Sequence, residues 1–113
     1  MSKKNLLPIP VKSALRKLGQ DISDARRRRR ITMELMGKRA GLGRATIAKI
    51  EKGEPSVSMG SYASVIFVLG MTDRFRDLID ANHDLVGRGL EEENLPKRVR
   101  LSKPKKLTKK NDE

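Results

Sequence analysis

From Lys12 onward, apolar residues recur in steps of three and four. Leu15, Leu18, Ile22 and Ala25 mark one side of a helix. Gly19 interrupts that stretch and weakens it by about 1 kcal/mol relative to Ala. The helix ends in Arg26 to Arg30, whose charges complement the negative end of the helix dipole. Thr32 then predicts an N-cap, with Glu34 and Leu35 in the first turn of a second helix. Met36 and Ala40 point inward there, and Gly41 suits the left-handed residue that closes a helix. Only Leu42 and Gly43 precede a third helix, Arg44 to about Lys52, with Ile47 and Ile50 on its buried side and Gly53 at its end. Glu54-Pro55-Ser56 is a loop. Ser58 predicts the cap of an apolar helix from about Met59 to Leu69, ended by Gly70. Thr72 caps a short helix with Phe75, Leu78 and Ile79 inside, and residues 84–93 predict one more. Pro8 and Pro10 break any period in residues 1–11, which read as a flexible arm. Val65 to Leu69 suits a strand by composition, but its neighbours favour a helix. The fold class is therefore all-α.

Composition narrows the chemistry. The chain has 113 residues and a formal charge of +12, which predicts a polyanionic partner. Without Cys there is no disulfide, thiolate zinc site or Cys nucleophile. Three aromatic rings are too few for a base-stacking platform. No apolar run approaches the ~18 residues of a spanning helix, so no membrane partner is expected. His83 stands alone. Asp73, Asp77, Asp80 and Asp84 read as one solvated helical face rather than a metal site. No nucleophile, base and orienter occur together, so neither an enzyme nor a cofactor is expected. The charge is also segregated. Residues 1–30 carry net +8, 31–53 net +3, 54–93 net −5 and 94–113 net +6. Such a chain can turn its basic side to DNA and its acidic side to a protein. Residues 97–113 are rich in Lys and poor in apolar residues, and read as a disordered basic tail.

Two short helices across a glycine-containing turn are the helix-turn-helix pattern. The chain has Thr32, Ala40-Gly41, Thr46-Ile47 and Ile50-Glu51-Lys52-Gly53. These residues, over about 15 to 71, closely resemble the Cro/C1 (Xre) type of helix-turn-helix. Four positions differ from the usual pattern: Met33 for Gln, Leu35 for a polar residue, Gly37 for Ala and Gly43 for a Ser or Thr cap. The resemblance implies a five-helix domain over 12–80. Its second motif helix would lie in the major groove of double-stranded operator DNA. The base-contacting residues would be Arg44, Ala45, Thr46 and Lys49. Arg44 suits the O6 and N7 of guanine, and Ala45 or the Thr46 methyl suits a thymine methyl. Phosphate contacts would come from Thr32, Gly43, Lys52, Gly53, Ser56, Ser58, Arg29 and Arg30, with the backbone amides near Lys52 and Gly53 in a clamp. Of the arginine run, two are expected on phosphate and the others solvated.

The resemblance further implies a homodimer reading two half-sites about 34–36 Å apart. The dimer contact is expected on the apolar surface after Ser58. The order of the second half, through Leu90-Glu-Glu-Glu-Asn-Leu-Pro-Lys-Arg-Val-Arg100, is similar to HipB-type antitoxins. That similarity implies a repressor of its own operon that also binds a HipA-like kinase toxin, with residues 81–96 as a helical or partner-ordered extension. Val99 and Leu101 alternate with Arg98 and Arg100, a pattern open to a short strand at a dimer contact. Two other readings are a stand-alone Xre-type regulator and an interaction module restraining an enzyme, with DNA binding secondary. The expected setting is the bacterial cytoplasm, nucleoid-associated when DNA is bound.

Overall fold

The structure, a computed structural model, describes residues 6–90 and 95–101. All regular structure among the described residues is helical, with no strand. The helices are α1 (Ile9–Arg28), α2 (Met33–Ala40), α3 (Arg44–Glu51), α4 (Met59–Val68), α5 (Thr72–Arg76) and α6 (Leu85–Leu90), with a 3-10 turn at Ala81–His83. The chain divides after Leu78 into two compact units. The first holds α1 to α5, and the second holds the 3-10 turn and α6.

Helix α1 begins three residues before the expected start at Lys12, inside the stretch read as an arm. Its first turn contains Pro10, and Pro8 is the N-cap. A proline there lacks only an amide that has no helical partner, and its fixed φ suits the first turn. The amides of Val11 and Lys12 both donate to the Pro8 carbonyl, at 3.0 and 3.1 Å. The prolines start this helix rather than prevent it. Residues 1–5 lie outside the described residues.

The core of the first unit is Ile22, Ala25, Ile31, Met36, Ile47, Ile50, Tyr62, Val65 and Leu69. It is built where α1 and α2 pack on α3 and α4 packs on α2. Leu18, expected inward, is exposed, and its neighbour Gly19 is buried instead. A Cβ on Gly19 would lie 2.6 Å from the Ile50 carbonyl oxygen and 2.7 Å from the Gly53 nitrogen. Gly53 has φ of 74°, and a Cβ on it would meet the Leu15 carbonyl oxygen at 2.3 Å. Helix α1 therefore crosses the end of α3 backbone to backbone. A side chain at either position would force the helices apart. Gly19 weakens α1 as a helix but permits the contact that holds it.

Past α4 the structure departs further from the pattern. Leu78 and Ile79 were expected inside, yet both are exposed, Ile79 to 88%. Helix α5 ends at Arg76 with Asp77 as its C-cap, so neither residue lies on the helix that was to turn it inward. The four aspartates do not share one helical face either. Asp73 lies in α5, Asp77 caps its end, Asp80 caps the 3-10 turn and Asp84 precedes α6. The helix expected over 84–93 is observed as α6, with residues 91–94 outside the described set. Residues 95–101 are in neither helix nor strand, and the rest of the basic tail lies outside the described residues.

Candidate nucleic-acid interface

The two central helices are fixed at both ends by local chemistry. The Thr32 hydroxyl oxygen accepts the Leu35 amide at 3.0 Å, a side-chain N-cap. Gly41 adopts φ of 73° at the end of α2, and the Leu42 amide donates to the Gly37 carbonyl at 2.8 Å. Gly37 is buried, and a Cβ there would come within 2.6 Å of the Leu42 carbonyl oxygen. Gly37 thus answers to the tightness of the turn. Gly43 caps α3 through its backbone carbonyl, which accepts the amides of Thr46 and Ile47 at 3.1 Å each.

Ile47 and Ile50 anchor α3 and are fully buried. Helical spacing then sets the opposite face. Arg44, Ala45 and Lys49 are exposed on it, while Thr46 is half-buried on the flank. Among the described residues, neither Arg44 nor Lys49 has a side-chain hydrogen bond or ion pair. Three pairs of amides stand at helix starts. The first-turn amides of Met33 and Glu34 in α2, Arg44 and Ala45 in α3, and Met59 and Gly60 in α4 have no acceptor among the described residues. Free amides at helix starts suit anionic oxygens.

The residues expected to touch phosphate divide into two groups. Thr32, Gly43, Lys52, Ser56, Ser58, Arg29 and Arg30 are exposed. Gly53 is buried, and its amide donates to the Ile50 carbonyl at 2.9 Å. The Lys52 amide is likewise engaged, by Ala48 and Lys49. The backbone clamp expected at Lys52 and Gly53 is therefore closed by α3 itself, because its final carbonyls need those donors. Only the Lys52 side chain is left to reach outward. The Ser58 hydroxyl is also committed. It accepts the Ser61 amide and donates to the Ser61 hydroxyl, each at 3.1 Å.

The arginine run separates as well. Arg26 is buried and takes no part in a solvated stripe. Its Nε donates to Glu51 Oε2 at 2.6 Å and its Nη2 to Glu51 Oε1 at 3.1 Å. Nη1 donates to the Ile31 carbonyl at 2.8 Å. Both side chains of the pair are only 10% exposed. Hydrogen bonding to Glu51 pushes the Arg26 pKa up, against the opposing effect of burial. The pair ties the end of α1 to the end of α3. The sequence reading missed it, although Glu51 stood in the motif and Arg26 one turn beyond Ile22. Arg29 donates to the Ala25 carbonyl at 2.9 Å, and Arg30 turns the chain with φ of 57°.

Residues 22–61 match a family model described as Helix-turn-helix. The match runs from Ile22 in α1 to Ser61 in α4, so it spans both helices of the motif and the core residues from Ile22 to Ile50. It supports a DNA-binding transcription regulator. No curated protein matches the chain, and no solved structure does. Among the described residues, no helix is long and apolar enough to cross a membrane.

Proposed function

We propose that this helix-turn-helix protein is a sequence-specific repressor that places α3 in the major groove of operator DNA. The observation that carries this reading is the bare outer face of α3. Arg44, Ala45 and Lys49 are exposed, and among the described residues the side chains of Arg44 and Lys49 make no hydrogen bond or ion pair, while the opposite face is locked by two fully buried isoleucines. Arg44 supplies a planar fork for guanine, Ala45 an apolar contact and Lys49 a flexible cation. Thr46 borders this face. In this proposal the exposed cations Arg29, Arg30 and Lys52, Ser56, and the first turns capped by Thr32, Gly43 and Ser58 are the partners for phosphate. The test is binding to the duplex upstream of the protein's own gene, against a scrambled duplex, at about 0.15 M salt where bulk attraction is screened. A preference of about a thousandfold is expected. Arg44→Ala with Lys49→Ala should abolish it. Equal binding to both duplexes would refute the reading.

The protein acts as a homodimer in this proposal. From Pro55 to Thr72 no residue is charged, although 35% of the whole chain is. Met59 is 72% exposed and Phe67 69%. A helix apolar on both its faces suits burial on both, and a neutral face can meet its own copy without repulsion. Sedimentation should give a dimer, and Phe67→Asp a folded monomer.

A protein partner is favoured by a separate observation. Leu85, Val86, Leu90, Leu95, Val99 and Leu101 in the second unit are all exposed. An unburied apolar segment of this kind gains by ordering on another surface. It favours a protein partner, which in this proposal is a HipA-like kinase toxin. The Arg44→Ala, Lys49→Ala variant should still neutralise the toxin, and loss of both functions together would refute the division.

A further inference from the structure

The buried tyrosine of α4 makes a contact that its packing does not require. Tyr62 is buried in the core, and its hydroxyl donates to the Glu54 carbonyl at 2.7 Å. Glu54 is the first residue of the loop between Gly53 and the Ser58 cap. Its amide donates to the Lys49 carbonyl of α3 at 3.0 Å. The two backbone groups of one residue thus join α3 on one side and α4 on the other. The same carbonyl also accepts the Val57 amide at 3.4 Å, which folds the loop on itself. Burial raises the Tyr62 pKa first, and the nearby Glu54 charge second, so the hydroxyl keeps its proton as a donor.

We infer that Tyr62 is a positioning residue for DNA recognition: through the Glu54 carbonyl it fixes the loop carrying Ser56 and Ser58 relative to α3. The inference rests on the DNA-binding reading above. Phosphate contacts set the register in which base-reading side chains meet the duplex. A loop free to shift against α3 weakens that register without changing any residue on the outer face. Non-specific attraction, which depends on total charge, is untouched. The hydroxyl therefore matters to discrimination rather than to adhesion.

The variant is Tyr62→Phe, which removes one oxygen and keeps the ring in the core. Binding is measured on the upstream and the scrambled duplex, at a temperature where circular dichroism shows both proteins folded. Affinity for the upstream duplex should fall about three- to tenfold, the size of one net hydrogen bond, while the scrambled duplex changes less than about twofold. Exchange of the Glu54 amide with solvent should quicken in the free variant, showing that the loop has loosened. Tyr62→Leu should reproduce the loss of discrimination, which assigns it to the hydroxyl rather than to the ring. If wild type discriminates and Tyr62→Phe discriminates equally well, the inference is overturned. An equal loss on both duplexes also overturns it. A wild type with no preference would instead remove the DNA reading on which it stands.

Discussion

Removing the Glu51 carboxylate tests how α1 is held to α3. In Glu51→Ala the Arg26 guanidinium keeps one partner, the Ile31 carbonyl, and loses two hydrogen bonds to an ionised acceptor. Both side chains are largely shielded from water, so solvent cannot replace what is lost. Breaking a buried pair from one side costs about 3–5 kcal/mol, whereas an exposed pair is worth about 0–1. For a unit of this size each kcal/mol lowers Tm by about 4–8 °C, so a fall of roughly 12–40 °C is expected. The assay is thermal and urea unfolding followed by circular dichroism, completed as a cycle with Arg26→Met and the double variant. A coupling of about 2–3 kcal/mol is expected, and it should persist at 1 M salt because buried charges are poorly screened. A loss under about 1 kcal/mol, or a coupling that vanishes in salt, would refute the argument. It would mean that the pair behaves as a surface ion pair.

Gly19→Ala should destabilise the protein by about 1–3 kcal/mol, because the clash with backbone oxygens outweighs the ~1 kcal/mol gain in helix propensity; urea unfolding gives the sign. Thr32→Ala removes the hydroxyl that accepts the Leu35 amide and should cost about 0.5–2 kcal/mol in the same assay. Tyr62 binds its proton more tightly when folded, so its contribution is full below about pH 10 and is lost as pH rises through the raised value. Wild type should lose stability relative to Tyr62→Phe as pH rises above about 10, read from paired urea melts. Lys49→Ala should leave the fold intact, and if the side chain meets a phosphate the salt slope of DNA binding falls by about one.

The sequence was most readable where a single residue type has a single local use. Thr32, Gly41, Ser58 and Gly53 end or begin helices as their side chains and permitted φ require. Ile47 and Ile50 set which side of α3 is buried, and the outward placement of Arg44, Ala45 and Lys49 follows from geometry. The readings that failed needed information from elsewhere in the fold. Pro10 breaks a helix in general but not in its first turn, and nothing local places that turn. Leu18 and Gly19 compete for one face of α1, and the approach of α3 decides for the smaller residue. The amides of Lys52 and Gly53 have two possible partners at a helix end, and the helix's own carbonyls take them. Arg26 looked like its neighbours until Glu51 came from 25 positions away to meet it.

The glycine contact between α1 and α3 separates two demands that one helix normally combines. Docking of α3 relies on main-chain atoms, two buried isoleucines and one ion pair, none of them on the outer face. Arg44, Ala45 and Lys49 can then be exchanged with little effect on folding. A library randomised at those three positions should yield stable proteins, and under the proposed function their operator preferences should differ, so that specificity drifts under selection while the scaffold stays constant.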